Sequence, residues 1–147
     1  MSLEVNWYDD EKSIIIATIT RTSTWDEYHQ AVEWMVSEAK KRDRRVDVIF
    51  YDNVGMPQGN PLPHLQMGST KIIQQPNIRL TIIAGSQGYT GFTRSMLEIL
   101  QKVFSRTLFK VPNVSEDRKG SLLFMRTLED ALSHIKKDRA EAPASTA

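Results

Sequence analysis

Apolar and polar side chains alternate along residues 3–7, LEVNW, which is the period of a half-buried strand. A polar turn, DDEK, follows at residues 9–12. Residues 13–21 are rich in β-branched side chains and predict the second strand of a hairpin. The chain is therefore expected to open with two antiparallel strands.

The first helix is predicted from Trp25 to about Arg42. Thr24 can accept the N–H of Glu27 while the Glu27 carboxylate reaches back to the backbone of Thr24, which is a capping box. Apolar side chains then recur at spacings of three and four residues and predict one buried face. That face comprises Trp25, Tyr28, Val32, Met35, Val36 and Ala39.

Three further strands are expected. Residues 46–51 and 78–85 are nearly continuous in apolar character, as central strands covered on both faces would be, and residues 122–125 form the last strand. A helix is predicted between each pair, at 63–75 and 92–108, and Thr127 caps a final one. Gly68 in the second helix indicates a close approach to the sheet, since it has no side chain.

The order of elements predicts an α/β fold: a single layered domain with a mixed five-stranded sheet and about four helices. The domain is expected to span residues 1–139. Residues 140–147 contain no apolar side chain larger than alanine and are expected to be a disordered tail.

Composition excludes several classes of protein. The 147-residue chain has 40% hydrophobic and 25% charged residues, a net charge of +1 and no cysteine. Thiol catalysis, zinc–thiolate sites and disulfides are thereby excluded, and a cytoplasmic location suits such a chain. No nucleic-acid partner, no transmembrane segment and no signal peptide are expected.

The glycines after the fourth strand, Gly85, Gly88 and Gly91, resemble a phosphate-binding loop, but their spacing does not fit one. They match neither a P-loop, nor a dinucleotide-binding loop, nor a nucleophile elbow. A simple turn into the next helix is the favoured interpretation, and weak anion binding helped by Arg94 is the alternative. The candidate ligand-binding residues are Asp52, Asn53, Gly85, Ser86, Gly88, Tyr89 and Arg94.

No catalytic or metal-binding group is predicted, and no cofactor. His29, His64 and His134 lie in three different segments without a second ligand at helical spacing, so surface or partly buried histidines are expected. Asp47 and Asp52 flank the third strand, where carboxylates either line a crevice or cap turns. The basic run 40–45 is interpreted as a solvated helix end.

Two apolar features suggest contact with a partner. Trp34 lies opposite the apolar face of the first helix, where it is either a partner surface or an ordinary exposed aromatic residue. The apolar face of the 92–108 helix covers about half its circumference and needs cover from a loop, a second subunit or an apolar ligand. The candidate interface residues are Trp34, Leu97, Phe104 and Leu108.

Three strings, at 24–27 (TWDE), 48–54 (VIFYDNV) and 124–132 (FMRTLEDAL), together with the order of elements resemble a STAS-like domain of the SpoIIAA-like kind. The resemblance covers about residues 3–137. It implies a non-enzymatic domain: an anti-sigma factor antagonist, a module of a sensory complex or transporter, or a lipid- or small-ligand-binding relative with a SEC14-like fold. The family's phosphorylated serine has no counterpart in residues 52–63, which contain neither serine nor threonine.

Three functional hypotheses follow. The leading one is a non-catalytic regulatory or protein-interaction domain that forms a homodimer. The second is a carrier of a small apolar or anionic ligand, with a crevice between the 53–63 and 85–91 loops. The third is a hydrolase built on Asp52 and His64.

Overall fold

A computed structural model describes residues 3–20, 24–52, 61–85, 122–125 and 127–141. It contains five strands: β1 (Leu3–Trp7), β2 (Ile14–Ile19), β3 (Val46–Asp52), β4 (Ile78–Gly85) and β5 (Leu122–Met125). Three helices lie within the described residues: α1 (Trp25–Lys40), α2 (Pro61–Ile73) and α3 (Leu128–Glu141).

The strands form one mixed sheet in the order β1-β2-β3-β4-β5. β1 runs antiparallel to β2, and each later strand runs parallel to the one before it. The α/β class predicted from the sequence is confirmed. Neighbouring strands are thus consecutive in the chain, so the sheet grows in one direction from β2 to β5.

The helices cover both faces of the sheet. Two successive crossovers of the same hand in a sheet that grows in one direction leave their helices on the same face. Accordingly α1 and α2 pack with Ile15 and Val48 in one buried cluster. α3 follows the last strand and packs on the opposite face with Ile49 and Ile82. The period-two alternation of β2 and β3 divides their apolar side chains between the two clusters.

β4 contains a bulge near its start. Val46 pairs with Ile78 and Val48 pairs with Thr81, so three steps along β4 match two along β3. The extra residue interrupts the backbone ladder and leaves an amide in need of an acceptor. The side chain of Asp47 supplies it, because its Oδ1 accepts the N–H of Leu80 at 3.1 Å.

The local helix signals give mixed outcomes. The capping box is confirmed: Thr24 Oγ1 accepts the Glu27 N–H at 3.2 Å, and Glu27 Oε1 accepts the Thr24 N–H at 3.2 Å. Thr127 also caps α3, since its hydroxyl accepts the N–H of Asp130 at 3.0 Å. Gly68 does lie at a close approach, but the element predicted to approach it was wrong. This buried glycine faces Tyr28 of α1 rather than the sheet.

Two boundaries differ from expectation, and one predicted helix is not described. α2 begins at Pro61 rather than Pro63, and α3 continues to Glu141, into the stretch predicted as a tail. The 92–108 helix and residues 142–147 lie outside the described residues. None of the helices in the described part of the chain combines the length and the apolar character of a membrane span.

Candidate functional site

The carboxyl ends of three parallel strands meet at one edge of the sheet. Ile19 pairs with Asp52, and Asp52 pairs with Gly85. α1 and α2 begin after β2 and β3 end, so their first turns return from this edge. Open α/β sheets commonly bind ligands at this edge. The structure therefore brings together two of the predicted ligand-binding residues, Asp52 and Gly85.

Most of the other residues proposed from the sequence lie outside the described part of the chain. Asn53, Ser86, Gly88, Tyr89 and Arg94 lie outside the described residues. The predicted interface residues Leu97, Phe104 and Leu108 also lie outside them.

A stacked ring pair joins the beginnings of α1 and α2. Trp25 is the first residue of α1, and His64 lies in the first turn of α2. Their ring centroids are 4.7 Å apart and their planes differ by only 7°. Both side chains are half-buried, so the stack forms part of the surface between the two helices.

His64 also meets His29 across the same two helices. His29 Nε2 lies 2.9 Å from His64 Nδ1, which is a hydrogen bond if one of these nitrogens carries the proton and the other does not. The other ring nitrogen of His29, Nδ1, is buried and has no hydrogen-bond partner among the described residues. The pair therefore holds one buried polar atom that a ligand or a partner group could satisfy.

Burial lowers the pKa of His29, and the neighbouring His64 and Lys71 lower it further. Asp26 and Glu33 act in the opposite direction and are the weaker influences. His29 is therefore neutral at neutral pH. A neutral imidazole can accept one hydrogen bond and donate another, which suits recognition of a polar group better than attraction of an anion.

The two helices approach closely beneath this pair. A Cβ added to Gly68 would lie 2.2 Å from Tyr28 Oη and 2.7 Å from Cζ, so only glycine leaves room for the tyrosine ring. Burial raises the pKa of Tyr28, which keeps the phenol protonated. The Tyr28 ring also packs edge-on against Trp25 at 5.3 Å and lies 5.2 Å from the His29 ring. This close packing holds Trp25, His29 and His64 in place.

The rim of the surface between α1 and α2 carries one ion pair and one exposed apolar side chain. Lys71 of α2 donates to Glu33 of α1, and both side chains are largely exposed. Met67, one turn after His64 on α2, is 52% exposed, a high value for a large apolar side chain.

Sequence reasoning missed the His29–His64 pair. It expected partly buried histidines, and all three are half-buried, but it found no reason to bring two of them together. The two residues are 35 positions apart on different helices, and no spacing rule within one helix can detect such a contact. The only available signal was Gly68 on α2, which indicated a close approach but not to which element.

A second polar cluster lies at the opposite, amino ends of the parallel strands. Asp47 is fully buried, and its carboxylate accepts hydrogen bonds from Arg45 Nε at 3.1 Å and from Arg139 Nε at 2.8 Å. Leu80 N–H supplies another, as described above. Of the alternatives left open for Asp47, neither a turn cap nor a crevice residue describes this buried acceptor.

Arg139 extends the cluster to the hairpin. Its Nη1 donates to Ser13 Oγ at 3.0 Å and its Nη2 donates to the Ser13 carbonyl at 2.8 Å. Ser13 in turn donates to Asp9 through its hydroxyl and its N–H. Arg45 also donates to Asp138 at 2.7 Å, so this end of the basic run is not a solvated helix terminus. The cluster ties the hairpin, the bulge and α3 together.

Trp34 lies on the side of α1 that faces β1. Its ring centroid is 6.5 Å from that of Trp7, with the planes tilted by 58°. Trp7 Nε1 donates to Glu38 Oε1 of α1 at 3.4 Å. Trp34 is half-buried rather than fully exposed. Its position opposite the apolar face of α1 had left open whether it forms a partner surface or is an ordinary exposed aromatic residue. α1 thus packs on two of its sides. One side lies against α2 and the central strands, and the other lies against Trp7 of β1.

Within the described ranges, no group of three or more histidine, aspartate or glutamate side chains is placed to hold a metal ion. Comparison of the chain with protein families, with curated proteins and with solved structures gives no match.

Proposed function

We propose that this chain is a non-catalytic, STAS-like regulatory domain that acts by binding protein surfaces, including a second copy of itself. The opening hairpin and the consecutive strand order support this proposal, because they agree with the element order on which the resemblance rests. A reducing compartment such as the cytoplasm suits a chain without cysteine. Regulation would act without the family's phosphoserine.

The observation that carries the proposal is the position of the tryptophans. The chain has three, Trp7, Trp25 and Trp34, and all three are half-buried. Trp25 and Trp34 belong to α1, with Trp25 toward α2 and Trp34 toward β1, where it meets Trp7. Tryptophan is enriched at protein interfaces and among the few residues that carry most of their binding energy, and a half-buried tryptophan still has surface to offer a partner.

Size-exclusion chromatography with light scattering tests the self-association. The expected result is a mass that rises from monomer to dimer between low and high micromolar concentration. A monomeric mass at high micromolar concentration would contradict this part of the proposal.

A ligand carrier is the second candidate, and a separate observation favours it. Asp52 and Gly85 end adjacent strands at the edge from which α1 and α2 begin, and His29 Nδ1 is buried without a partner among the described residues. Native mass spectrometry after mild purification should then find a small molecule retained by the wild type and lost from His29→Phe. His134→Phe, on α3, is the matched control and should retain it. An unliganded wild type would count against this candidate.

A further inference from the structure

β1 lies at one end of the strand order and, among the described residues, pairs only with β2. The direction of its backbone groups follows from one hydrogen bond. The Tyr8 N–H donates to the Ile14 carbonyl at 2.7 Å, so Tyr8 directs its backbone toward β2. Since the direction alternates along an antiparallel strand, Asn6 and Glu4 also face β2, whereas Leu3, Val5 and Trp7 direct N–H and C=O away from it.

Within residues 3–7, several of the features by which proteins block strand addition are missing. Residues 3–7 contain no proline, no lysine and no interruption of the register with β2. Glu4 is the one charged residue in this stretch, and its side chain lies on the exposed face of β1 with that of Asn6. An unblocked edge with outward hydrogen-bonding groups is a template for another strand.

We propose that two copies of this chain pair through β1, antiparallel about a two-fold axis at Val5, so that the two sheets become continuous. This inference rests on the self-association proposed above and names the surface that mediates it. In this register, Val5 lies opposite Val5 of the second copy and Leu3 lies opposite Trp7. These three are the residues whose backbone groups point outward, so the pairing satisfies all of them.

Charge favours this register over the one with the two-fold axis at Glu4. With the axis at Val5, Glu4 of each copy lies opposite Asn6 of the other, and no like charges meet. A shift of the axis to Glu4 would place the two Glu4 carboxylates opposite each other and lose the contact to Trp7. Like charges directly opposite on neighbouring strands are destabilising. The apolar side of the pair would continue onto the Trp7–Trp34 contact beside α1.

Val5→Pro tests the edge directly. Proline removes the outward N–H of Val5 and blocks strand addition, but it removes no bond to β2, because that N–H points away from β2. The expected result is a monomer at concentrations where the wild type is dimeric, with unchanged far-UV circular dichroism to show that the domain still folds.

Charge changes at Asn6 test the register without depending on proline. Asn6→Lys places opposite charges at two symmetric positions and should tighten the dimer, whereas Asn6→Glu places like charges there and should weaken it, each by about 2- to 30-fold in dissociation constant. Glu4→Lys combined with Asn6→Glu should restore tight pairing. Ser133→Lys and Ser133→Glu, exposed on α3, make the same changes in net charge away from β1 and should leave the dissociation constant unchanged.

The outcomes separate the two proposals. If the wild type is dimeric but Val5→Pro and both Asn6 variants match it, the interface lies elsewhere and the proposed function stands. If the wild type is monomeric at high micromolar concentration, the self-association itself is wrong, and the β1 pairing falls with it.

Discussion

The two ends of the parallel strands use polar groups in opposite ways. At the amino ends, the buried Asp47 carboxylate accepts hydrogen bonds from two arginines and from the amide of the β4 bulge. At the carboxyl ends, the His29–His64 pair has one internal hydrogen bond and a buried nitrogen without a partner among the described residues. A buried charge with all its partners in place rigidifies and specifies the fold, and removing one partner is costly, whereas an unsatisfied polar atom costs stability and is available for binding. The comparison indicates that the amino-end cluster ties elements of the fold together, whereas the carboxyl-end pair keeps one polar atom without a partner among the described residues.

Asp47→Ala should have the largest effect on the amino-end cluster. It leaves Arg45 and Arg139 without their shared buried carboxylate and the Leu80 amide without its acceptor. Loss of one partner from a buried ion pair should lower the free energy of unfolding by about 3–5 kcal/mol. Urea denaturation measures it. Asp138→Ala removes an exposed partner of the same Arg45 and should cost only about 0–1 kcal/mol. Equal losses from both variants would show that burial of Asp47 does not matter.

Gly68→Ala should have an intermediate effect on the α1–α2 contact. The added Cβ would overlap the Tyr28 ring and push the helices apart, at a cost of about 1–3 kcal/mol that exceeds the helix propensity gained of about 1 kcal/mol. The same change should shift the Trp25 fluorescence in a background where Trp7 and Trp34 are phenylalanine, because Trp25 stacks on His64. Ser133→Ala on the exposed surface of α3 is the control. A stabilised Gly68→Ala protein would contradict the close contact.

The two ends should also lose stability in different pH ranges. The pKa of His29 is lowered from 6.5 in the folded state, so the unfolded chain binds more protons and the free energy of unfolding falls as the pH drops through 6.5. Partial burial opposes ionisation of Asp9, but hydrogen bonds from Ser13 and Ile14 outweigh it and lower the pKa of Asp9 below 3.8. Its stabilisation is therefore lost only as the pH falls below 3.8.

Urea denaturation over a series of pH values separates the contributions of His29 and Asp9. We expect both to be smaller than the losses of stability from Asp47→Ala and Gly68→Ala. His29→Gln should flatten the decline near pH 6.5 and leave the acid decline below 3.8 intact, and Asp9→Asn should do the reverse. His134→Gln serves as the control for loss of a histidine. If His29→Gln and the wild type have the same profile near pH 6.5, His29 does not titrate as inferred.

The sequence was informative wherever the deciding interactions are local. The capping box at Thr24 and Glu27 depends on residues three positions apart, and the structure contains both of its hydrogen bonds. The alternation along β1 and the apolar runs of β4 and β5 gave strands with the expected bounds. A side-chain period or a cap is a property of a few neighbouring residues, so it can be recognised without the rest of the fold.

The candidate site was predicted only in part. Asp52 and Gly85 were expected near a crevice because they end apolar runs, and parallel pairing does make them neighbours. The Trp25–His64 stack and the His29–His64 hydrogen bond were not expected, because they depend on how α1 lies against α2. The burial of Asp47 was also missed, since its partner Arg139 is 92 positions away.

For the described part of the chain, the sequence by itself determined which segments form strands and helices and which of their faces are apolar, because backbone preference and side-chain period act over a few residues. Only the tertiary structure decided which polar groups meet. In the structure, the Asp47 carboxylate binds two arginines and a backbone amide, and Gly68 lies against Tyr28. His29 Nδ1 has no hydrogen-bond partner among the described residues. The reason is physical: a polar side chain far from others in the chain acquires its partner, its exposure and its pKa only when the sheet brings distant segments into contact.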